Sequence, residues 1–71
     1  MKAILTIYQG KANGRHLQSC YLGDENGGTR FAGVKVTELE RYDHIKFERI
    51  LTKSDLQSLV EESQRLLKKM E

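Results

Sequence analysis

The stretch "IYQGKANGRHLQSCYL", from Ile7 to Leu22, decides how this chain folds. At its centre stands Asn13-Gly14, a dipeptide that favours a two-residue hairpin turn because a type I′ turn needs positive φ at both central positions. The preceding segment is rich in β-branched and aromatic side chains, which is typical of strands. A phosphate-binding loop would instead need glycines that lead directly into a helix N-terminus. The stretch therefore predicts a β-hairpin.

The two-residue turn also sets the register of this hairpin, because strand pairing runs outward from Asn13-Gly14. One face is then predicted to carry Leu5, Ile7, Cys20 and Leu22, and the other Thr6, Tyr8, Ser19 and Tyr21. A slip of one residue would exchange the two faces. The separation of aliphatic from hydroxyl-bearing side chains therefore supports this register.

The C-terminal segment predicts an amphipathic helix over residues 54–70. Its apolar residues recur at helical spacing and form one stripe: Leu56, Leu59, Val60, Leu67 and Met70, with Leu66 at the margin. Ser54 with Gln57 is interpreted as a capping box. Ser63 lies within the stripe and could mark a close approach between the helix and a neighbouring element.

Strands are predicted over residues 2–9, 16–23, 30–37 and 44–51. A two-residue turn at Asn26-Gly27 would place Phe31 on the face of Leu22, whereas a longer turn with a glycine bulge would place Val34 and Val36 there. The second alternative is favoured because it directs more aliphatic side chains inward. For residues 38–50 a helix is the competing interpretation, since this span is rich in Glu, Arg and Lys.

These elements predict an α+β fold: a four-stranded antiparallel sheet in the order β-β-β-β-α, with the C-terminal helix packed on one face. Residues 1–71 form one small domain. The sheet face beneath the helix is expected to carry Leu5, Ile7, Cys20, Leu22, Val34, Val36, Ile45 and Phe47.

Composition narrows the class of protein. The formal net charge is only +2, and the basic surplus lies in residues 1–35. Cys20 is the single cysteine, so an intrachain disulfide is excluded and a reducing compartment is expected. The N-terminal apolar run is too short for a signal peptide or a membrane span. We therefore expect a cytoplasmic protein.

No residue pattern predicts an active site. His16 and Cys20 lie four residues apart on one strand, about 13 Å from each other, so they cannot share a metal ion or form a catalytic pair. The acidic residues Glu38, Glu40 and Asp43 fall in a charged connection, the opposite of the desolvated setting that acid–base catalysis by paired carboxylates needs. Nucleophile-elbow, Walker and dinucleotide motifs are absent. We expect a non-enzyme without cofactor or metal.

The sheet face away from the helix is the candidate site. Its aromatic residues would be Tyr8, Tyr21 and Phe31, with the basic residues Arg15, Arg30, Lys35 and Lys46 nearby. Such a face suits a protein partner or a homodimer. The first hypothesis is a non-enzymatic protein that regulates or inhibits a macromolecular partner, as a phage or mobile-element accessory factor would. The alternative is a single-stranded nucleic-acid-binding module, in which the aromatic residues stack on bases and the basic residues contact phosphates.

Overall fold

The computed structural model describes the backbone of residues 1–71 and the side chains outside residues 42–46. The strands are β1 (Ala3–Ala12), β2 (Arg15–Asp24), β3 (Gly27–Gly33) and β4 (Arg41–Leu51), and the helix is α1 (Lys53–Lys69). All strand pairs are antiparallel, in the order β3-β2-β1-β4. This architecture confirms the predicted α+β class with a four-stranded antiparallel sheet and a C-terminal helix.

The β1–β2 hairpin has the predicted turn and register. Asn13 has φ 52° and Gly14 has φ 74°, the left-handed conformation that this turn requires. Tyr8 pairs with Ser19 and Ile7 pairs with Cys20. Leu5, Ile7, Cys20 and Leu22 therefore share one face, which we call the apolar face. Thr6, Tyr8, Ser19 and Tyr21 share the other, which we call the tyrosine face.

The third strand differs from the prediction. Its turn lies at Glu25 and Asn26, because Asp24 pairs with Gly27. A bulge between the Tyr21–Arg30 and Cys20–Ala32 pairs then makes Phe31 an extra residue. Phe31 consequently lies on the apolar face, where it lines a groove together with Leu22.

The favoured alignment for this strand, with Val34 and Val36 beneath the helix, was wrong. The strand ends at Gly33, whose φ is 80°, so both valines lie beyond the sheet. The competing helix over residues 38–50 was also wrong, since β4 begins at Arg41. No local residue pattern indicated the bulge, because Phe31 and Ala32 are both ordinary strand residues.

The connection from β3 to β4, residues 34–40, crosses over the tyrosine face. It must cross β2 and β1, because β3 and β4 form opposite edges of the sheet. The Ser19 hydroxyl donates a hydrogen bond to the Val34 carbonyl, and the Val36 N–H donates to the Tyr21 hydroxyl at 3.4 Å. Leu39 is buried next to Gly10. The connection predicted to be polar thus supplies one of the buried apolar side chains.

The N-terminus of α1 is capped by Thr52 rather than by Ser54. The Thr52 hydroxyl accepts a hydrogen bond from the Asp55 N–H at 3.0 Å, and the Asp55 carboxylate accepts one from the Thr52 N–H at 2.8 Å. These two bonds form a capping box. Hydrogen bonding from Thr52, first its N–H and then its hydroxyl, holds the pKa of Asp55 below its usual value of 3.8.

This cap predicts a loss of helix stability in acid. A carboxyl whose pKa is lower in the folded state stabilises that state above its usual pKa, and the stabilisation disappears as the pH falls through the folded value. We expect the helical far-UV circular dichroism signal to stay constant from neutral pH to about pH 4 and to weaken below it. Asp55→Ala should weaken the signal at neutral pH and reduce this acid transition, the remainder coming from Glu62, whose pKa is lowered by its hydrogen bond from Arg65. An acid transition of the same size in the variant would contradict the assignment to Asp55.

The chain is more extended than a compact domain of its length. Its Cα radius of gyration is 14.0 Å, whereas about 11 Å is expected for this number of residues. Its accessible surface is 5935 Å², about 1,400 Å² more than a folded monomer of this mass exposes. Every residue of α1, which lies within the fully described part of the chain, is at least partly exposed. The helix makes few backbone contacts with the sheet, more with β4 than with any other strand, and much of its apolar stripe is uncovered.

Candidate interaction surface

A groove separates α1 from the apolar face. Its volume is about 430 Å³, and each strand and the helix contribute to its lining, with the residues Leu5, Leu22, Phe31, Leu51, Leu59 and Ser63. Only Thr52 separates β4 from the first residue of α1. The helix must therefore start at the end of the sheet where β4 finishes. It lies over the apolar face there without filling the groove between them.

Large apolar side chains around this groove are exposed. Phe31 is 60% exposed and Leu59 is 45% exposed. We define the docking surface as the groove together with the exposed apolar side chains of the apolar face and of α1. These side chains are Phe31, Phe47, Leu59, Val60, Leu66, Leu67 and Met70. Phe47 belongs to the apolar face because it pairs with Ile7. Exposed apolar surface on this scale in a small domain makes the docking surface a candidate interaction site.

The tyrosine face is less open than predicted. Tyr8 and Tyr21 are half-buried, while Thr6 and Ser19 are buried. The two tyrosine rings meet edge to face, with their centroids 5.7 Å apart and their planes at 87°. The crossover connection covers part of this face, so the tyrosines do not lie on a fully open surface. The edge-to-face contact fixes the two rings against each other, as in a packed aromatic pair.

The electrostatics of the tyrosine face do not resemble those of a phosphate-binding surface. A hollow of about 230 Å³ beside Tyr8 and Tyr21 is also lined by Asp24, Glu25 and Glu48. These carboxylates would repel a nucleic-acid backbone. The predicted aromatic cluster is also divided, because Phe31 lies on the opposite face of the sheet from the two tyrosines.

The predicted basic residues are scattered over the surface. Arg15 is exposed at the start of β2, and Arg30 pairs with Tyr21 and donates a hydrogen bond to the Gly33 carbonyl. The exposed Lys35 lies on the crossover connection, where its N–H donates to the Glu38 carboxylate at 3.1 Å. Lys46 lies outside the described side chains. The strand register thus places Arg30 opposite Tyr21 and Lys46 opposite Tyr8, whereas Arg15 and Lys35 lie at the start of β2 and on the crossover connection.

The groups capable of metal or acid–base chemistry do not form a site in the described part of the chain. His16 is exposed near the hairpin turn, and Cys20 is half-buried on the apolar face. Outside residues 42–46, no three His, Cys, Asp or Glu side chains come close enough to hold a metal ion. Among the same residues, no helix combines the length and hydrophobicity needed to cross a membrane.

Sequence reasoning assigned the residues of the docking surface to the core, except Phe31, which it placed in the candidate site on the opposite face. One signal could have identified them: a helix of 17 residues is about 25 Å long, whereas four strands span only about 14 Å between the outer axes. A helix lying across such a sheet leaves part of its apolar stripe uncovered.

No model of a known protein family matches this chain, and searches of curated proteins and of solved structures find no match.

Proposed function

We propose that this protein is a non-enzymatic interaction module that binds a macromolecular partner, a protein, through the docking surface. The observation that carries the proposal is the exposure of the apolar side chains around the groove between α1 and the sheet. The partner would insert apolar side chains into the groove and contact Phe31 and Leu59 at its rim. Binding would remove these side chains from water, which is the main driving force of protein association.

The size of the docking surface supports a stable interaction. The chain exposes 5935 Å², an excess of about 1,400 Å² over a compact monomer. Specific protein interfaces bury about 800 Å² on each partner. The excess is therefore large enough for an interface of ordinary or greater size. We place this module in the cytoplasm, as a regulator or inhibitor.

The alternative, a single-stranded nucleic-acid-binding module, has less geometric support. Base stacking needs aromatic rings with an accessible π-face beside basic groups. Tyr8 and Tyr21 are half-buried, and three carboxylates line the hollow beside them. Two predicted basic residues favour it by their strand register, Arg30 opposite Tyr21 and Lys46 opposite Tyr8. The experiment below therefore includes a nuclease step.

A photo-crosslinking amino acid placed at single sites tests the proposal in cells. At Phe31 it should yield a covalent adduct heavier than the chain, because the partner covers this side chain. The adduct should resist nuclease and be degraded by protease. The measurement is the yield and mass of the adduct after purification under denaturing conditions.

Ile50 provides the matched control. It lies on β4 beside Ile4, on the tyrosine face, and it is 59% exposed against 60% for Phe31. Equal yields from both sites, or no adduct at Phe31, would contradict binding through the docking surface. A nuclease-sensitive adduct would instead support the nucleic-acid alternative.

A further inference from the structure

The apolar stripe of α1 is symmetric about one residue. Ser63 stands at its centre, and apolar residues flank it at equal distances: Leu56 and Met70 at seven positions, Leu59 and Leu67 at four, and Val60 and Leu66 at three. An antiparallel pair of identical helices places residues equidistant from the two-fold axis opposite each other. In such a pair, each apolar residue of the stripe would therefore lie opposite an apolar residue of the second helix.

The charges of the helix are arranged in the same way. Residues 53–62 contain one lysine and three acidic residues, a net charge of −2, and residues 64–71 contain three basic residues and one glutamate, a net of +2. In an antiparallel pair each acidic half lies beside the basic half of the other copy. The opposed helix dipoles add to this attraction, whereas a parallel pair would align like charges.

We propose that the partner on the docking surface is a second copy of this chain, with the two α1 helices antiparallel and crossing at Ser63. This inference rests on the proposed function and names its partner. The small side chain of Ser63 allows the helix axes to approach closely at the crossing point. Leu59 and Ser63 both line the groove, so apolar side chains of the second helix would enter the groove there, with its Leu67 against Leu59.

The surface area agrees with this arrangement. If each chain buried its excess of about 1,400 Å², the interface would cover about 2,800 Å² in total, within the range of obligate homodimers. The second helix would also cover Phe31, which the chain's own helix leaves 60% exposed. One isologous contact thus accounts both for the uncovered stripe and for the open groove.

Sedimentation equilibrium gives the first test. The wild-type protein at micromolar concentration should have twice the mass of one chain. Leu67→Asp should raise the dissociation constant at least about 100-fold, because each dimer would bury two unpaired carboxylates. A wild-type mass equal to one chain at high micromolar concentration would overturn the proposal.

Disulfide trapping gives the second test and does not depend on the folding of Leu67→Asp. In a Cys20→Ser background, Ser63→Cys should form a covalent dimer rapidly under mild oxidation, since the two-fold axis brings the two thiols together. Ser58→Cys is the matched control, because Ser58 lies about 140° around the helix from Ser63. Equal rates for the two variants would overturn the crossing at Ser63.

One more pair of variants tests whether the two α1 helices of the dimer are antiparallel. In the antiparallel dimer, each Leu56 lies about 21 Å from its counterpart and opposite Met70 of the second copy. Chains with Leu56→Cys should therefore crosslink to chains with Met70→Cys but not to each other. Self-crosslinking of Leu56→Cys would indicate a parallel pair and contradict the proposal. If the wild-type protein is a monomer and still forms a heavier adduct from Phe31, the proposed function is supported. Only the identification of the partner as a second copy of this chain is then rejected.

Discussion

Replacing Gly10 by alanine should lower the free energy of unfolding by about 3 kcal/mol or more, because no space exists for the added methyl group. A Cβ at Gly10 would overlap the backbone carbonyl oxygen of Arg41 and lie 3.1 Å from Leu39 Cδ1. A carbonyl held in the β1–β4 pairing cannot move without disturbing that pairing. Urea denaturation at one fixed protein concentration measures the change.

Gly14→Ala is the control for this substitution. Gly14 has φ 74°, and a Cβ there would meet no other atom within 4 Å. Alanine at this position is therefore destabilising only because it must adopt the left-handed conformation, which costs about 1–2 kcal/mol. The difference between the two variants isolates the steric effect at Gly10. Equal destabilisation by both would show that the close approach of Arg41 to Gly10 is absent in solution.

Leu39→Ala should destabilise the fold by about 2–5 kcal/mol, the usual range for truncating a buried leucine. Leu39 is only 7% exposed, and it anchors the crossover connection next to Gly10. A domain of this length has on the order of 5 kcal/mol of total stability. We therefore expect the variant to retain at most about 3 kcal/mol of stability, and thermal denaturation followed by circular dichroism would show the lowered melting temperature.

Ile50→Ala tests whether this effect depends on burial. Ile50 lies on β4 and is 59% exposed, so its truncation should cost less than about 1 kcal/mol. If Leu39→Ala were as mild as Ile50→Ala, the crossover connection would not pack on the tyrosine face. The candidate site that the sequence predicted on this face would then regain support, because Tyr8 and Tyr21 would be open to a binding partner.

Local chemistry determined most of the secondary structure. Asn13-Gly14 dictates its own turn conformation, and a two-residue turn leaves a single pairing between its strands, so the β1–β2 register followed from a dipeptide. Helical spacing of the leucines likewise located α1 to within one residue at each end, residues 54–70 against Lys53–Lys69. These signals are local because they depend on backbone preferences and side-chain periodicity within a few residues.

The candidate site depended on the tertiary structure. The sequence by itself determined the fold class, the first hairpin and the apolar stripe of the helix. Only the tertiary structure decided that Phe31 lies on the apolar face, that residues 34–40 cover the tyrosines and that the stripe stays exposed. Each of these follows from contacts between distant segments, because strand order forces the crossover and the short link after β4 restricts where α1 lies.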